Sequence, residues 1–483
     1  MSLPERGMAA EQVFAALDQM RSRDLDWKNG RVWAYVYPLP AEADALAKRA
    51  YTAFLTENGL DPTAFPSVMA MENALVDIAT RHLGIPEDAE PAGNFTSGGT
   101  ESIILAVKAA RDRARHRSPQ MGRPNMVLPV TAHAAFHKAA DYLGLELRTT
   151  PVDPTTFQAD VAAMDAACDA NTVLLVGSAP GYAHGVVDDI PAIGQIGLKH
   201  DILVHVDACV GGWLLPFFRA LGADVAPFDF SVPGVTSISM DLHKYACTPK
   251  GASLVLHRDK SVRQHQIFSC SSWTGYTVIN PTVQSTRSGG PVAAAWALMH
   301  HLGQEGYRDI AARLLDATQR VVSGIRAIPG LRVLGEPAFT LVAAGSDEVD
   351  VFVVCDEMRS RGWYVQPQLG LGDCPKNLHL SVHPGVVDSV DAMLADLADA
   401  VQAARQVTTD SLAATLGPMV QSLDASQLDA DTVRHLLGAA GIQGADLPDR
   451  LADINGILDT LPPRTADVLL TAWFNDLNAP RRS

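Results

Sequence analysis

The strand-like run Val235–Met240 leads straight into Asp241-Leu242-His243-Lys244, and the chain continues Tyr245-Ala246-Cys247-Thr248-Pro249-Lys250-Gly251. A lysine at such a strand end presents a primary amine that can form a Schiff base with an aldehyde cofactor. Pyridoxal phosphate is the aldehyde this suits, provided a carboxylate elsewhere keeps its pyridine nitrogen protonated so that the ring draws electrons. Asp207, in His205-Val206-Asp207-Ala208, is such a carboxylate. It ends a run, Ile202–Val206, that reads as a buried central strand, where a carboxylate needs a partner and a pyridinium N–H would be a fitting one. Two other roles stay open from these residues alone: Asp207 as a turn cap or the partner of a basic side chain, and His205 with Asp207 as metal ligands. No further ligand cluster stands at suitable spacing, so no metal is expected.

Thr96-Ser97-Gly98-Gly99-Thr100-Glu101-Ser102 precedes a pattern in which Ile103, Ile104, Val107 and Ala110 repeat at helical spacing. Its glycines leave backbone N–H groups open at a helix start, which suits a phosphate, although an ordinary capped helix start reads the same way. His133, in Val130-Thr131-Ala132-His133, follows another candidate strand and could present its imidazole to a cofactor ring. Ser178 and His184 lie near a further strand end, where they serve a turn as readily as a ligand.

These groups need a scaffold that brings strand ends together. From about residue 70 to 290, helical patterns such as Glu101–Arg115 alternate with the runs Asn125–Val130, Thr172–Gly177, Ile202–Asp207, Val235–Met240 and Ala252–His257. That alternation predicts an α/β architecture, a mostly parallel sheet with helices on both faces. After the helical stretch Pro291–Ile328, the runs Leu331–Leu334, Thr340–Ala343, Asp350–Val354 and Leu378–Val382 read as strands of a smaller α+β domain, closed by helices that include Val387–Ala404. The expected organisation is an N-terminal arm over 1–70 at a subunit interface, a large cofactor-binding domain over 71–300, a small domain over 301–404, and a helical extension over 405–483 broken at Gly417-Pro418, Pro448 and Pro462-Pro463. The arm carries the aromatic residues Trp27, Trp33, Tyr35 and Tyr37.

With 38 Lys and Arg against 54 Asp and Glu, the formal charge of −16 opposes nonspecific binding to nucleic acid or an anionic membrane, so an anionic ligand must be held by a local cluster. Six cysteines are scattered without paired spacing in a chain too long to need a disulfide framework, and they read as reduced thiols. The N-terminal stretch mixes charges throughout, and no apolar run approaches the roughly 20 residues that span a bilayer. The expectation is a soluble, cytoplasmic enzyme.

Together these stretches resemble the pyridoxal-dependent decarboxylase family, which contains amino-acid decarboxylases and sphingosine-phosphate lyase, and the likeness is closest to the lyase branch. It rests, in family order, on Thr96–Ser102, Thr131–Ala140, Pro180–Asp188, His205–Trp213, Val235–Gly251 and Ser285–Gly290, and extends from about Trp27 to His383. The resemblance implies fold type I of the pyridoxal-phosphate enzymes and a homodimer with shared active sites. By it, Lys244 would form the Schiff base, Asp207 would hold the pyridine nitrogen and His133 would stack on the ring. Gly99 and Thr100 would bind the cofactor phosphate, Gly289 and Gly290 would approach from the second subunit, and Asp241 and His243 would flank the lysine. Lys250 and Tyr37 match residues that lie near the substrate phosphate in the lyases. Asp61 stands where the lyases carry a phosphate-binding histidine, and an anion there should repel phosphate. Trp33, Tyr35 and Tyr276 replace smaller residues and would narrow the entrance.

The expected reaction is therefore carbon–carbon cleavage at the amine-bearing carbon of a small-molecule amine, phosphorylated or not. In the lyase branch this splits a phosphorylated long-chain base into a fatty aldehyde and phosphoethanolamine. Amino-acid decarboxylation is the alternative that Asp61 makes credible. An aminotransferase would need an arginine for the substrate carboxylate near Leu378–Pro384, and none stands out there. A catalytically silent interaction module would be expected to lose the lysine, the aspartate or the histidine, and all three are present.

Overall fold

The structure, a computed structural model, describes residues 3–407, 438 and 448–480. Its larger sheet has seven strands: β1 (Ala92–Thr96), β2 (Asn125–Pro129), β3 (Glu146–Thr150), β4 (Thr172–Ser178), β5 (Leu203–Asp207), β6 (Val235–Asp241) and β7 (Ser253–His257). They lie in the order β1-β7-β6-β5-β4-β2-β3. The pairs β6–β5, β5–β4, β4–β2 and β2–β3 are parallel, whereas β7 runs antiparallel to both its neighbours. Every residue of β4 and β5 is buried, as befits strands covered by helices on both faces. Parallel pairing carries the chemistry: it puts the carboxyl ends of β4, β5 and β6 side by side, where open α/β sheets bind ligands.

Local signals set the helices that frame this edge. Ile190–His200 starts on Asp189, whose side chain accepts from Ala192 N, has proline in its first turn and stops at Asp201 in the left-handed region. The helix Gly99–Arg117 packs on β6 and β7. Phe228, Phe230 and Tyr307 are among the largest fully buried side chains of the main core.

A two-stranded hairpin, β8 (Phe268–Cys270) with β9 (Val278–Asn280), follows, and then the helix Gly289–Ala327, which breaks at Gly303. The smaller sheet comprises β10 (Arg332–Val333), β11 (Leu341–Gly345), β12 (Gln366–Gln368) and β13 (Asn377–Ser381), all antiparallel, in the order β10-β11-β13-β12. One expected strand is a helix. Asp350–Val354 is apolar enough to pass for a strand, but the Asp350 side chain accepts from Phe352 N and caps the helix Val351–Ser360. Within the C-terminal stretch, helices span Ala452–Thr460 and Pro463–Leu477, and the break expected at Gly417-Pro418 lies outside the described residues.

The N-terminal arm divides in two. The helix Ala10–Arg21 has no buried residue, whereas Val32 bridges Tyr364 and Trp33 exchanges backbone hydrogen bonds with Tyr364 and Ser381. That pairing fastens the arm to the smaller sheet and carries Tyr37 toward Lys244. It also corrects the expectation for Trp33, which is fully buried in the core and narrows no entrance.

Candidate active site

The carboxyl end of β6 continues into a tight turn that presents Lys244. Cys247, at φ +60°, and Gly251, at φ +91°, let the chain reverse, and both Leu242 N and His243 N donate to Ala252 O. Two buried phenols anchor the turn from outside: Tyr245 donates to Val382 O at 2.9 Å, and Tyr307 donates to Ala246 O at 3.0 Å. The lysine is therefore held by the smaller sheet and the long helix as well as by its own strand.

Lys244 Nζ lies 3.1 Å from Asp241 Oδ2, and His243 Nε2 lies 3.6 Å from the same oxygen. Burial disfavours the lysine charge, but the Asp241 carboxylate and the other groups around it outweigh burial and raise its pKa above the ordinary lysine value. Burial likewise pushes the Asp241 carboxyl up, and Lys244 and His243 more than compensate, so it stays below the usual range. His243 accepts from Ala252 N on Nδ1, and burial brings its pKa down to about 4. Asp241 Oδ1 is buried without a hydrogen-bond partner.

Facing that carboxylate is the start of the helix Gly99–Arg117. A Cβ on Gly99 would lie 2.7 Å from Cys209 Sγ and 2.9 Å from Asp241 Oδ1, so only glycine lets the helix start approach so closely. Glu101 braces the loop: Oε2 accepts from Ser97 N and Ser97 Oγ, both at 2.7 Å, and Oε1 accepts from Val283 N at 2.8 Å.

Asp207 ends β5 beside these groups. Its Oδ1 accepts from Cys209 N at 3.0 Å and from Ser239 Oγ at 3.2 Å, which leaves Oδ2 for the cavity. Because the Ser239 hydroxyl proton goes to Asp207, the serine oxygen receives Nε2–H of His205 at 3.1 Å, and His205 Nδ1 accepts from Ser237 at 2.9 Å. Burial holds the His205 pKa near 4. His205 is thus a neutral brace for Asp207, and both its nitrogens are engaged by serines.

These parts enclose a cavity of about 350 Å³ lined by Gly98, Gly99, Thr100, His133, Tyr182, Asp207, Cys209, Asp241, His243 and Lys244, among others. His133 is exposed, with Nδ1 fixed by Ala135 N at 3.1 Å. Lys250 Nζ sits 4.9 Å over the Tyr37 ring, whose edge meets Tyr245. Burial, then the Lys244 charge, lowers the Lys250 pKa to about 8, and burial raises that of Tyr37.

Other sequence-derived residues fall elsewhere. Ser178 donates its backbone N–H to Asp188, and His184 stacks on Phe157. Gly289 and Gly290 pack against Glu57 and Tyr51, and neither lines the Lys244 cavity of its own chain. Asp61 and Tyr276 line a different cavity, of about 790 Å³, and Asp61 accepts from Thr63 N and Thr63 Oγ1. Sequence reasoning missed Tyr182, Cys209 and Glu101. Tyr182 stands inside the motif Pro180–His184, but sequence does not reveal which residue of a loop turns inward.

Residues 11–344 match the family model described as "Pyridoxal-dependent decarboxylase conserved domain", and residues 410–476 match one described as "Pyridoxal-dependent enzyme, C-terminal putative HTH domain". The chain is 40% identical to a sphingosine-1-phosphate lyase of Oryza sativa subsp. japonica over 423 residues, 86% of this chain and 76% of the relative. It is 32% identical to a probable L-aspartate decarboxylase of Pyrococcus furiosus over 370 residues, 77% of this chain and 96% of the relative. Among solved structures, a sphingosine-1-phosphate lyase of Burkholderia pseudomallei superposes with a TM-score of 0.80 at 37% identity, covering 89% of this chain and 97% of that one. A glutamate decarboxylase of Lactobacillus brevis, at 19% identity, TM-score 0.75 and coverage of 84% and 96%, shares the fold.

Proposed function

The chain belongs to the pyridoxal-dependent decarboxylase family, and from that membership we propose a lyase that cleaves a phosphorylated long-chain base into a fatty aldehyde and phosphoethanolamine. The observation that carries this reading is the packing of Lys250, on the Lys244 turn, over the ring of Tyr37, a cation beside a phenol in a chain that resembles sphingosine-1-phosphate lyases over most of its length.

Pyridoxal phosphate is the cofactor, and the residues fit it. The unpartnered Asp241 Oδ1 and the Gly99 position that a Cβ would fill lie at one end of the cavity, and the free oxygen of Asp207 lies in the same cavity. When bound, the cofactor supplies an electron sink joined to the substrate nitrogen. Lys244 would hold it through Nζ, Asp207 would keep its ring nitrogen protonated, Gly99 and Thr100 would cradle its phosphate, and His133 would cover its face. Asp241 and His243 orient the lysine. The substrate hydroxyl must lose its proton as the adjacent C–C bond breaks, and the amine-bearing carbon must gain one. Tyr37 and Lys250 would hold the substrate phosphate and move a proton. Lys250 is well suited, since burial and Lys244 bring its pKa to about 8.

The same reading makes the working form a cytoplasmic homodimer. Its support is the hairpin and the residues just after it, which expose Phe268, Trp273, Tyr276, Ile279 and Val283. No described helix is long and apolar enough to cross a membrane. Amino-acid decarboxylation is the second reading, favoured by the 32% identity to a probable L-aspartate decarboxylase. The test is incubation of pyridoxal-phosphate-loaded protein with a phosphorylated long-chain base and, separately, with amino acids. Aldehyde and phosphoethanolamine are expected, whereas carbon dioxide from an amino acid would replace the lyase reading with the second one.

A further inference from the structure

One face of the smaller sheet is polar and yet buried. The register pairs Gln366 with His379 and Gln368 with Asn377, and strand alternation adds Ser381 to that face, while Leu378 and Leu380 point into the apolar core. Asn377, His379 and Ser381 are almost fully buried, and the loop between β4 and the helix Ile190–His200 lies over His379 and Ser381. That loop has little room to move: Gly185, at φ +71°, packs so closely on the Leu341 carbonyl that a Cβ would clash.

Tyr182 is the point of contact. Its ring stacks on His379 with centroids 4.6 Å apart and planes 30° apart, and its hydroxyl donates to Gln366 Oε1 at 2.7 Å. The same residue lines the Lys244 cavity. A phenol has one proton and two lone pairs, so an O–H committed to Gln366, with the Ser381 hydroxyl against the same oxygen, leaves one lone pair for the cavity. The platform beneath it is uncharged, since burial pushes the His379 pKa down to about 3.

We propose that Gln366 and His379 are positioning residues: they fix Tyr182 as a hydrogen-bond acceptor at the Lys244 cavity, where it receives an N–H or O–H of the substrate. The smaller domain thereby enters the reaction through a side chain it does not itself contribute. The proposal rests on the Lys244 cavity being the reaction site.

A double-mutant cycle on the full-length, pyridoxal-phosphate-loaded protein with a phosphorylated long-chain base tests it. Gln366→Leu should lower kcat about tenfold and change KM less than about threefold, the signature of lost transition-state positioning. In a Tyr182→Phe background the same change should cost nothing further. His379→Phe, which keeps a ring to stack on, should retain several-fold more kcat than His379→Ala. As a readout apart from turnover, the pH midpoint of the cofactor absorption band should shift in Gln366→Leu and stay put when Tyr182 is already phenylalanine. An equal kcat loss in both backgrounds, or none in the wild-type background, overturns the proposal. Should Gln366→Leu not fold, Gln366→Asn draws the amide back by one methylene and is read in the same cycle. Failure of the wild type to release aldehyde sinks the lyase reading instead, and the cycle is then run with the amino acid that does react.

Discussion

The cavity beside Asp61 is larger than the one beside Lys244, about 790 Å³ against about 350 Å³, and it too holds buried charge. There the charges are used up internally. Glu72 Oε1 accepts from Asn94, Phe95 N and Arg287, its Oε2 accepts from Arg287 at 2.9 Å, and Arg263 donates to Asn94. Beside Lys244, Asp241 keeps a buried oxygen without a partner and Asp207 keeps one for the cavity. The difference teaches that volume does not mark a reaction site. What sets the Lys244 cavity apart is that its carboxylates keep oxygens open beside an amine, whereas Glu72 spends both of its oxygens on Arg287, Asn94 and Phe95 N.

Breaking each region should give opposite signatures. Lys244→Ala should lower turnover by about a thousandfold or more and abolish the visible band of the loaded protein, since no other amine can take its place. Arg287→Met should instead strand the Glu72 carboxylate and cost about 3–5 kcal/mol of stability, read as a lower melting temperature and denaturant midpoint. A variant that melted normally and lost turnover would place Arg287 in the chemistry and break the comparison.

Asp207→Asn keeps an oxygen for Cys209 N and Ser239 and removes only the charge. About a hundredfold loss in kcat is expected, together with weaker cofactor binding by titration.

A pH profile sharpens the comparison further. Lys250 is charged below about pH 8 and neutral above it, so KM for a phosphorylated amine should rise as pH climbs through 8, and Lys250→Met should flatten that limb. The smallest effect belongs to Asp61→His. Asp61 is held in a turn by Thr63 on an exposed surface, and a roughly twofold fall in KM for phosphorylated amines is expected at low salt. An unchanged KM would mean that Asp61 faces no substrate phosphate.

Much of the scaffold was legible because buried strands announce themselves as short apolar runs between helical periods. β2, β4, β5, β6 and β7 lie where the runs placed them. β1, β3 and β12 escaped notice because Ala92–Thr96, Glu146–Thr150 and Gln366–Gln368 are polar or small, and their partners, not their own pattern, make them strands. Asp350–Val354 failed the other way, since five apolar-rich residues fit either period and one capping aspartate decided for helix.

What the sequence determined by itself was the identity of the reactive groups and the order in which strands deliver them: Lys244 after β6, Asp207 at the end of β5, and the glycines that open the helix at Gly99. These are local matters of strand, turn and helix start. Only the tertiary structure decided which side chains share a cavity. It seated Trp33 in the core, held Tyr37 over the lysine turn by pairing the N-terminal arm with Tyr364 and Ser381, put Asp61 in a cavity of its own, and turned Tyr182 inward against His379 and Gln366. Those contacts join residues up to several hundred positions apart, and the direction of a loop side chain is fixed by what packs against it, which no short stretch of sequence contains.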